Sequence, residues 1–172
     1  VALQAGVTPD EIRMALPLFK GVARRFDVHV KNRDMIYIDD YAHHPKEIEA
    51  ALSSIREMWP DKRLTVAFQP HLYSRTNDFY PDFARGLSLA DEVILLDIYP
   101  AREEPIPGVT SALIADRVTV PVKRVTKEDF PEYVKENVKE GVFVTMGAGD
   151  IDRFIPIFTK IFNDRRKSTY SV

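Results

Sequence analysis

The chain has 172 residues and a mass of 19.7 kDa, the size of one ordinary domain with a fragment of a second. Its 24 basic residues against 26 acidic ones leave a formal charge of -2, which removes the broad cationic field of a generic nucleic-acid binder. A mean hydropathy of -0.22 with 45% hydrophobic residues excludes membrane spanning and wholesale disorder, and the absence of cysteine rules out disulfide scaffolds, thiolate zinc sites and cysteine nucleophiles while permitting a reducing compartment.

The first ten residues hold neither an initiating Met nor a basic stretch leading into an apolar one, so no signal peptide or anchor is expected. Thr8-Pro9-Asp10-Glu11 reads as a capped helix start, with Ile12, Ala15, Leu16 and Phe19 on the apolar face and a stop at Gly21. Phe26, Val28 and Val30 then alternate with polar residues, residues 32–34 form a turn, and residues 35–38 resume an apolar run, which together predict a hairpin. The period changes at Pro45: Ile48, Ala51, Leu52 and Ile55 recur at helical spacing as far as Trp59-Pro60. A strand over 64–68, a helix around Phe79, Phe83 and Leu87, and a strand over 93–96 follow. Next come a short helix over 111–117, a strand over 118–122 interrupted at Pro121, a helix carrying Phe130, Tyr133, Val134 and Val138, and a strand over 142–146. The last helix bears Ile151, Phe154, Ile155, Phe158 and Phe162, and the polar tail over 163–172 is expected to fray. This order predicts an α/β fold: a Rossmann-like open sheet, mostly parallel with an antiparallel N-terminal hairpin strand, and helices on both faces. No internal repeat or low-complexity segment interrupts it, and the one boundary lies near Gly21.

Ligands of open parallel sheets collect outside the carboxyl ends of the strands, so the residues that follow each apolar run are the informative ones. Four such stretches are rich in chemistry: 39–45, 69–75, 97–105 and 147–150. They hold three of the four histidines, several carboxylates, arginines and a Gly-x-Gly pair, which argues for one shared cleft able to take a small zwitterion. Each element also has a structural reading: Asp39 or Asp40 as a turn cap, His71 and Tyr73 as packing groups, Gly147 and Gly149 as turn glycines. His43-His44 lacks a spaced third ligand of the zinc type, so no metal site is expected. His29 reads as a surface or packing residue, and the basic clusters at 61–63 and 165–167 as solvated charge. No Gly-x-x-x-x-Gly-Lys-Ser/Thr run exists, so the chain has no P-loop and is not expected to hydrolyse ATP alone.

The run Ile38-Asp39-Asp40-Tyr41-Ala42-His43-His44-Pro45, with Gly21-Val22-Ala23-Arg24-Arg25-Phe26, Phe68-Gln69-Pro70-His71 and Met146-Gly147-Ala148-Gly149-Asp150-Ile151, resembles the C-terminal domain of the Mur ligases, ATP-dependent builders of the peptidoglycan peptide. The double histidine, the 68–71 run and residues 101–106 resemble the branch that joins L-alanine to UDP-N-acetylmuramate. The tripeptide-recycling murein-peptide ligases are the nearest competitor, and a non-catalytic small-ligand module is the alternative from another class. The resemblance implies a cytoplasmic three-domain enzyme. Residues 1–21 would be the terminal helix and linker of a truncated central ATPase domain, and 22–172 the amino-acid-binding domain, inactive alone. ATP and Mg2+ would then belong to the full-length enzyme, and the partners would be the chain's own missing UDP-sugar and ATPase domains, L-alanine and UDP-N-acetylmuramate, with neither nucleic acid nor membrane. Carried over by position, His43 and His44 would be catalytic and Arg25 and Asp40 would contact ATP. Tyr41, His71, Arg75, Glu103, Gly147 and Asp150 would line the substrate pocket. Leu72 stands where many relatives have a second arginine, which leaves Arg75 alone, or with Arg102, for the carboxylate.

Overall fold

The computed structural model describes residues 1–19 and 21–169. Helix α1 (Pro9–Ala15) starts at a capping box in which Thr8 Oγ1 accepts from the Glu11 amide and the Glu11 carboxylate accepts from the Thr8 amide. It ends earlier than the expected stop at Gly21, because Pro17 has no N–H to extend the ladder and the chain tightens into a 3-10 turn over Leu16–Leu18. Of the expected apolar face, Ile12 is half-buried while Ala15, Leu16 and Phe19 are exposed, as are the neighbouring Met14 and Leu18.

Strands β1 (Asp27–Lys31) and β2 (Met35–Asp40) pair antiparallel, with a bulge between Val28 and Val30, and Asn32 Oδ1 closes their turn by accepting from the Asp34 and Met35 amides. Then come α2 (Pro45–Met58), β3 (Leu64–Phe68), α3 (Tyr73–Leu87), β4 (Glu92–Leu95), α4 (Ala112–Ala115), β5 (Val122–Arg124), α5 (Phe130–Asn137), β6 (Gly141–Met146) and α6 (Ile155–Thr169). The sheet order is β1-β2-β6-β3-β4-β5, and every pairing except β1–β2 is parallel. β3 and β6 are buried along their whole length, as parallel strands covered on both faces must be.

Alternation along the strands divides the core in two. Ile36, Ile38, Val66, Phe68, Val93, Leu95 and Val144 face α2, α3 and α4, where Ile48, Leu52, Ile55, Phe83 and Ile114 meet them. Tyr37, Ala67, Ile94 and Phe143 face α5 and α6, against Phe130, Val134, Phe158 and Phe162. Phe158 is the hub of that second layer, with edge contacts to Tyr37, Phe130 and Phe143 at ring separations of 6.0, 4.9 and 5.5 Å.

Two further element bounds are corrected. The fifth strand lies after Pro121 rather than over 118–122, since proline cannot donate to a ladder and β5 begins at the next residue on the sheet edge; Val118 and Val120 pack against the first core layer instead. Helix α6 runs through the polar stretch expected to fray, as far as Thr169, and is tied to α5 by the Arg165 guanidinium donating to the carbonyls of Val138 and Lys135. The remainder of that stretch, residues 170–172, lies outside the described residues. Among the described residues no helix is long and apolar enough to cross a membrane.

Truncating Phe158 to alanine opens a cavity shared by three elements. We expect a loss of about 3–5 kcal/mol in urea unfolding, against less than about 0.5 kcal/mol for a substitution at exposed Glu57.

Candidate active site

Because five strands run the same way, their carboxyl ends open on one edge, and the four chemistry-rich stretches meet there. At the exit of β2, Asp39 is fully buried and accepts from the Thr145 hydroxyl at 2.7 Å and from Arg24 Nε at 3.0 Å. Asp40 braces the turn, accepting from the amides of Phe26 at 2.7 Å and Ala42 at 2.8 Å. The Tyr41 ring is exposed and meets the edge of His43 at 5.2 Å. His43 Nδ1 lies 3.0 Å from the Tyr41 carbonyl; a carbonyl only accepts, so Nδ1 carries the proton and a neutral ring leaves Nε2 as the basic atom. His44 instead caps α2, its Nδ1 accepting from the Lys46 amide at 3.4 Å while its ring rests on Phe79.

At the exit of β3, Gln69 is buried and divides its amide: Nε2 donates to Asp150 at 2.8 Å and Oε1 accepts from the Ile151 amide at 3.0 Å. His71 pairs by backbone with Tyr99, extending the β3–β4 ladder, and their rings stack at 5.7 Å. Arg75 stands in the first turn of α3. Its Nη1 and the Nδ1 of His71 are both shielded from solvent without a hydrogen-bond partner. Glu103 caps the same helix, accepting from the Ser74 amide and hydroxyl, and Arg102 is exposed on the same loop. At the exit of β6, Gly147 has φ +143°, and a Cβ there would lie 2.6 Å from the Gln69 carbonyl, so close approach and backbone conformation both require glycine. Asp150 is held by Lys127 at 2.7 Å as well as by Gln69.

Residues 24–149 match the family described as Mur ligase, glutamate ligase domain. The chain belongs to this family. It is 48% identical over 167 residues to the UDP-N-acetylmuramate–L-alanine ligase of Phocaeicola vulgatus, covering 96% of this chain and 36% of that protein. The counterpart from Porphyromonas gingivalis is 53% identical over 151 residues, covering 87% and 33%. The crystal structure of a UDP-N-acetylmuramate–alanine ligase from Thermotoga maritima superposes with a TM-score of 0.70 at 28% identity, over 98% of this chain and 35% of that one. The chain thus spans about a third of the length of the curated relatives it matches.

In this Mur ligase domain the tandem arginines divide: Arg25 is exposed, and Arg24 turns inward. Arg24, Tyr99 and Lys127 belong to the site's framework although sequence reasoning did not select them. Arg24 and Tyr99 lay inside quoted motifs, whereas nothing in the sequence marked Lys127. Together they complete a row across the sheet edge: Arg24 over the Tyr41 ring at 5.1 Å, then His43, His71 and Tyr99, with Lys127 over Tyr99 at 5.4 Å.

The acids along this sheet edge are engaged with donors. Burial pushes Asp150 up, but hydrogen bonds from Lys127 and Gln69 outweigh it and hold its carboxyl below the usual range. The Ser74 hydroxyl and amide lower Glu103, and the His43 and His44 amides overcome the burial of Glu47. Asp39 moves the other way, because its burial exceeds the help of Thr145 and Arg24. Among the described residues no three His, Asp or Glu side chains converge to hold a metal ion. Burial, then the Arg75 charge and then His43 lower His71 below the ordinary histidine value. Its folded-state pKa being depressed, the neutral ring's contribution to stability is complete above the ordinary value and is lost as pH falls through the lowered one. An imidazole NMR titration should place the His71 midpoint below that of an unperturbed histidine, and Arg75→Ala should raise it part of the way back.

Proposed function

We propose that this chain is the amino-acid-binding part of a longer, cytoplasmic, ATP-dependent ligase that joins L-alanine to UDP-N-acetylmuramate. The observation that carries the reading is the corner at the start of α3, where a shielded guanidinium nitrogen and a neutral imidazole nitrogen face no protein partner. A guanidinium nitrogen shielded from water without an acceptor is costly, and a small carboxylate reaching the half-buried Arg75 would supply one. The names of the relatives, at 48% and 53% identity, supply the chemistry: the carboxylate is that of L-alanine and the product is an amide.

In this reading ATP converts the lactyl carboxylate of the sugar nucleotide to an acyl phosphate. The alanine amine attacks the acyl carbon, the amide C–N bond forms, the C–O bond to phosphate breaks, and the amine proton leaves. Arg75 holds the alanine carboxylate with the His71 ring beside it. Tyr41 and His43 border the phosphates and the amine, with His43 Nε2 placed to receive a proton, and His44 fixes their loop by capping α2. Arg25 is free to reach the ATP ribose. The Asp40 oxygens each serve one amide and retain a second lone pair for a ribose hydroxyl. Glu103, Gly147 and Asp150 form the pocket's rim, set by Ser74, Gln69 and Lys127. Mg2+ would accompany ATP on ligands supplied by the rest of the protein. Residues 1–21 are the terminal helix and linker of the preceding ATPase domain, and the exposed Met14, Leu16, Leu18 and Phe19 are the face it presents to that domain. Residues 22–172 form the amino-acid-binding domain.

The test is phosphate release dependent on ATP, UDP-N-acetylmuramate and L-alanine, measured on this chain and on the longer protein that contains it. We expect turnover only in the longer protein. Turnover with a tripeptide and none with alanine would assign the chain to the murein-peptide branch. In the longer protein Arg75→Ala should raise the KM for alanine about 10–100-fold with a smaller effect on kcat, because a charge-assisted bond already present in the ground state is lost. An unchanged KM would remove Arg75 from the pocket.

A further inference from the structure

We propose that Arg24 is a positioning residue of this centre: its guanidinium locks the exits of β2 and β6 together and supports the Tyr41 ring, and so sets where Tyr41 and His43 stand. The inference rests on the ligase reading for its functional consequence, and on geometry alone for the lock. All three guanidinium nitrogens are committed. Nε donates to Asp39 at 3.0 Å, Nη2 to the Gly147 carbonyl at 2.6 Å, and Nη1 lies 3.5 Å from Asp152. The planar face lies 5.1 Å from the centre of the Tyr41 ring. The backbone repeats the connection, since the Arg24 carbonyl accepts from the Tyr41 amide at 2.6 Å and its amide donates to Asp27 at 3.2 Å.

With each guanidinium nitrogen already directed at a protein group and the side chain 19% exposed, Arg24 acts through its neighbours rather than on a ligand. Two features separate this from simple neutralisation of Asp39. Arg24 and Phe26 hold φ of +60° and +50°, a backbone conformation that side-chain-bearing residues rarely adopt and that persists only where surrounding contacts over-determine it. The contacts also use three different nitrogens, Nε, Nη2 and Nη1, for three separate partners, which the planar guanidinium provides and the single ammonium of lysine does not.

The experiment compares Arg24→Lys, Arg24→Gln and the double variant Arg24→Gln/Asp39→Asn. The double variant removes the buried carboxylate together with its counter-charge, so its fold is not burdened by an unpaired ion. In the longer protein we expect the double variant to keep the parent Tm to within about 3 °C, with kcat lowered at least about tenfold and the alanine KM within about threefold of the parent. Arg24→Lys should share the kcat loss. In the 172-residue chain the Tyr41 and His43 ring resonances should move in all three variants while those of Phe158 stay in place. Recovery of parent kcat in the double variant, or unmoved Tyr41 and His43 resonances, would overturn the proposal and leave Arg24 as a counter-ion only. If the unsubstituted longer protein shows no alanine-dependent phosphate release, the ligase reading fails, and the resonances still decide whether Arg24 sets the two rings.

Discussion

The candidate site depends on the insertion of β6, the last strand of the chain, between β2 and β3. Before that insertion the two strands that carry the histidine loops have no contact through the sheet; once it is made, Asp39 lies beside Thr145 and Gln69 beside the Gly147 turn. The constraint is tight at both ends of the strand. Gly141, at φ +102°, leaves no room for a Cβ against the Arg63 carbonyl, and Gly147 leaves none against Gln69. A strand buried on both faces and pinned by two backbone approaches cannot slip by one residue without turning Phe143 from one core layer to the other.

The hydrophobic periods made the architecture legible in the sequence. The strand over 64–68 coincides with β3, and the period change at Pro45 coincides with the start of α2. The failures have local causes. β5 is a three-residue edge strand with little burial, so its apolar signal was borrowed from Val118 and Val120, which pack outside the ladder. The apolar stripe of α1 reads as a core face, yet its Ala15, Leu16 and Phe19 lie exposed. At the sheet edge, the parallel strands read from the sequence brought the four polar loops together, but residue type did not give the direction of each side chain. The resemblance assigns Asp150 and Glu103 to the substrate pocket, and each also meets a donor brought from a distant part of the sequence: Lys127 for one, Ser74 for the other. Such pairings are set by the sheet order, which no local pattern encodes.

These pairings give the cleft its electrical character. Asp39, Asp40, Glu47, Glu103 and Asp150 all accept hydrogen bonds from within the domain, whereas His71 Nδ1 and Arg75 Nη1 have shielded positions without a hydrogen-bond partner. On the proposed reading, a chain with a formal charge of -2 would still offer an anion the Arg75 guanidinium, because its nearby acids are already engaged. On that reading, selectivity would follow from which groups are already satisfied rather than from the sum of charges.

The stacking of Phe26 on Trp59 has an optical consequence. Trp59 is the sole tryptophan of the chain, it closes the C-terminal end of α2, and its indole lies 6.4 Å from the Phe26 ring with Lys31 over its face. Phe26 is two residues from Arg24 and gives its amide to Asp40. Light absorbed by the indole thus reports on the short lead-in to β1, so the emission of an unlabelled sample registers displacement of that lead-in from α2 without any introduced probe.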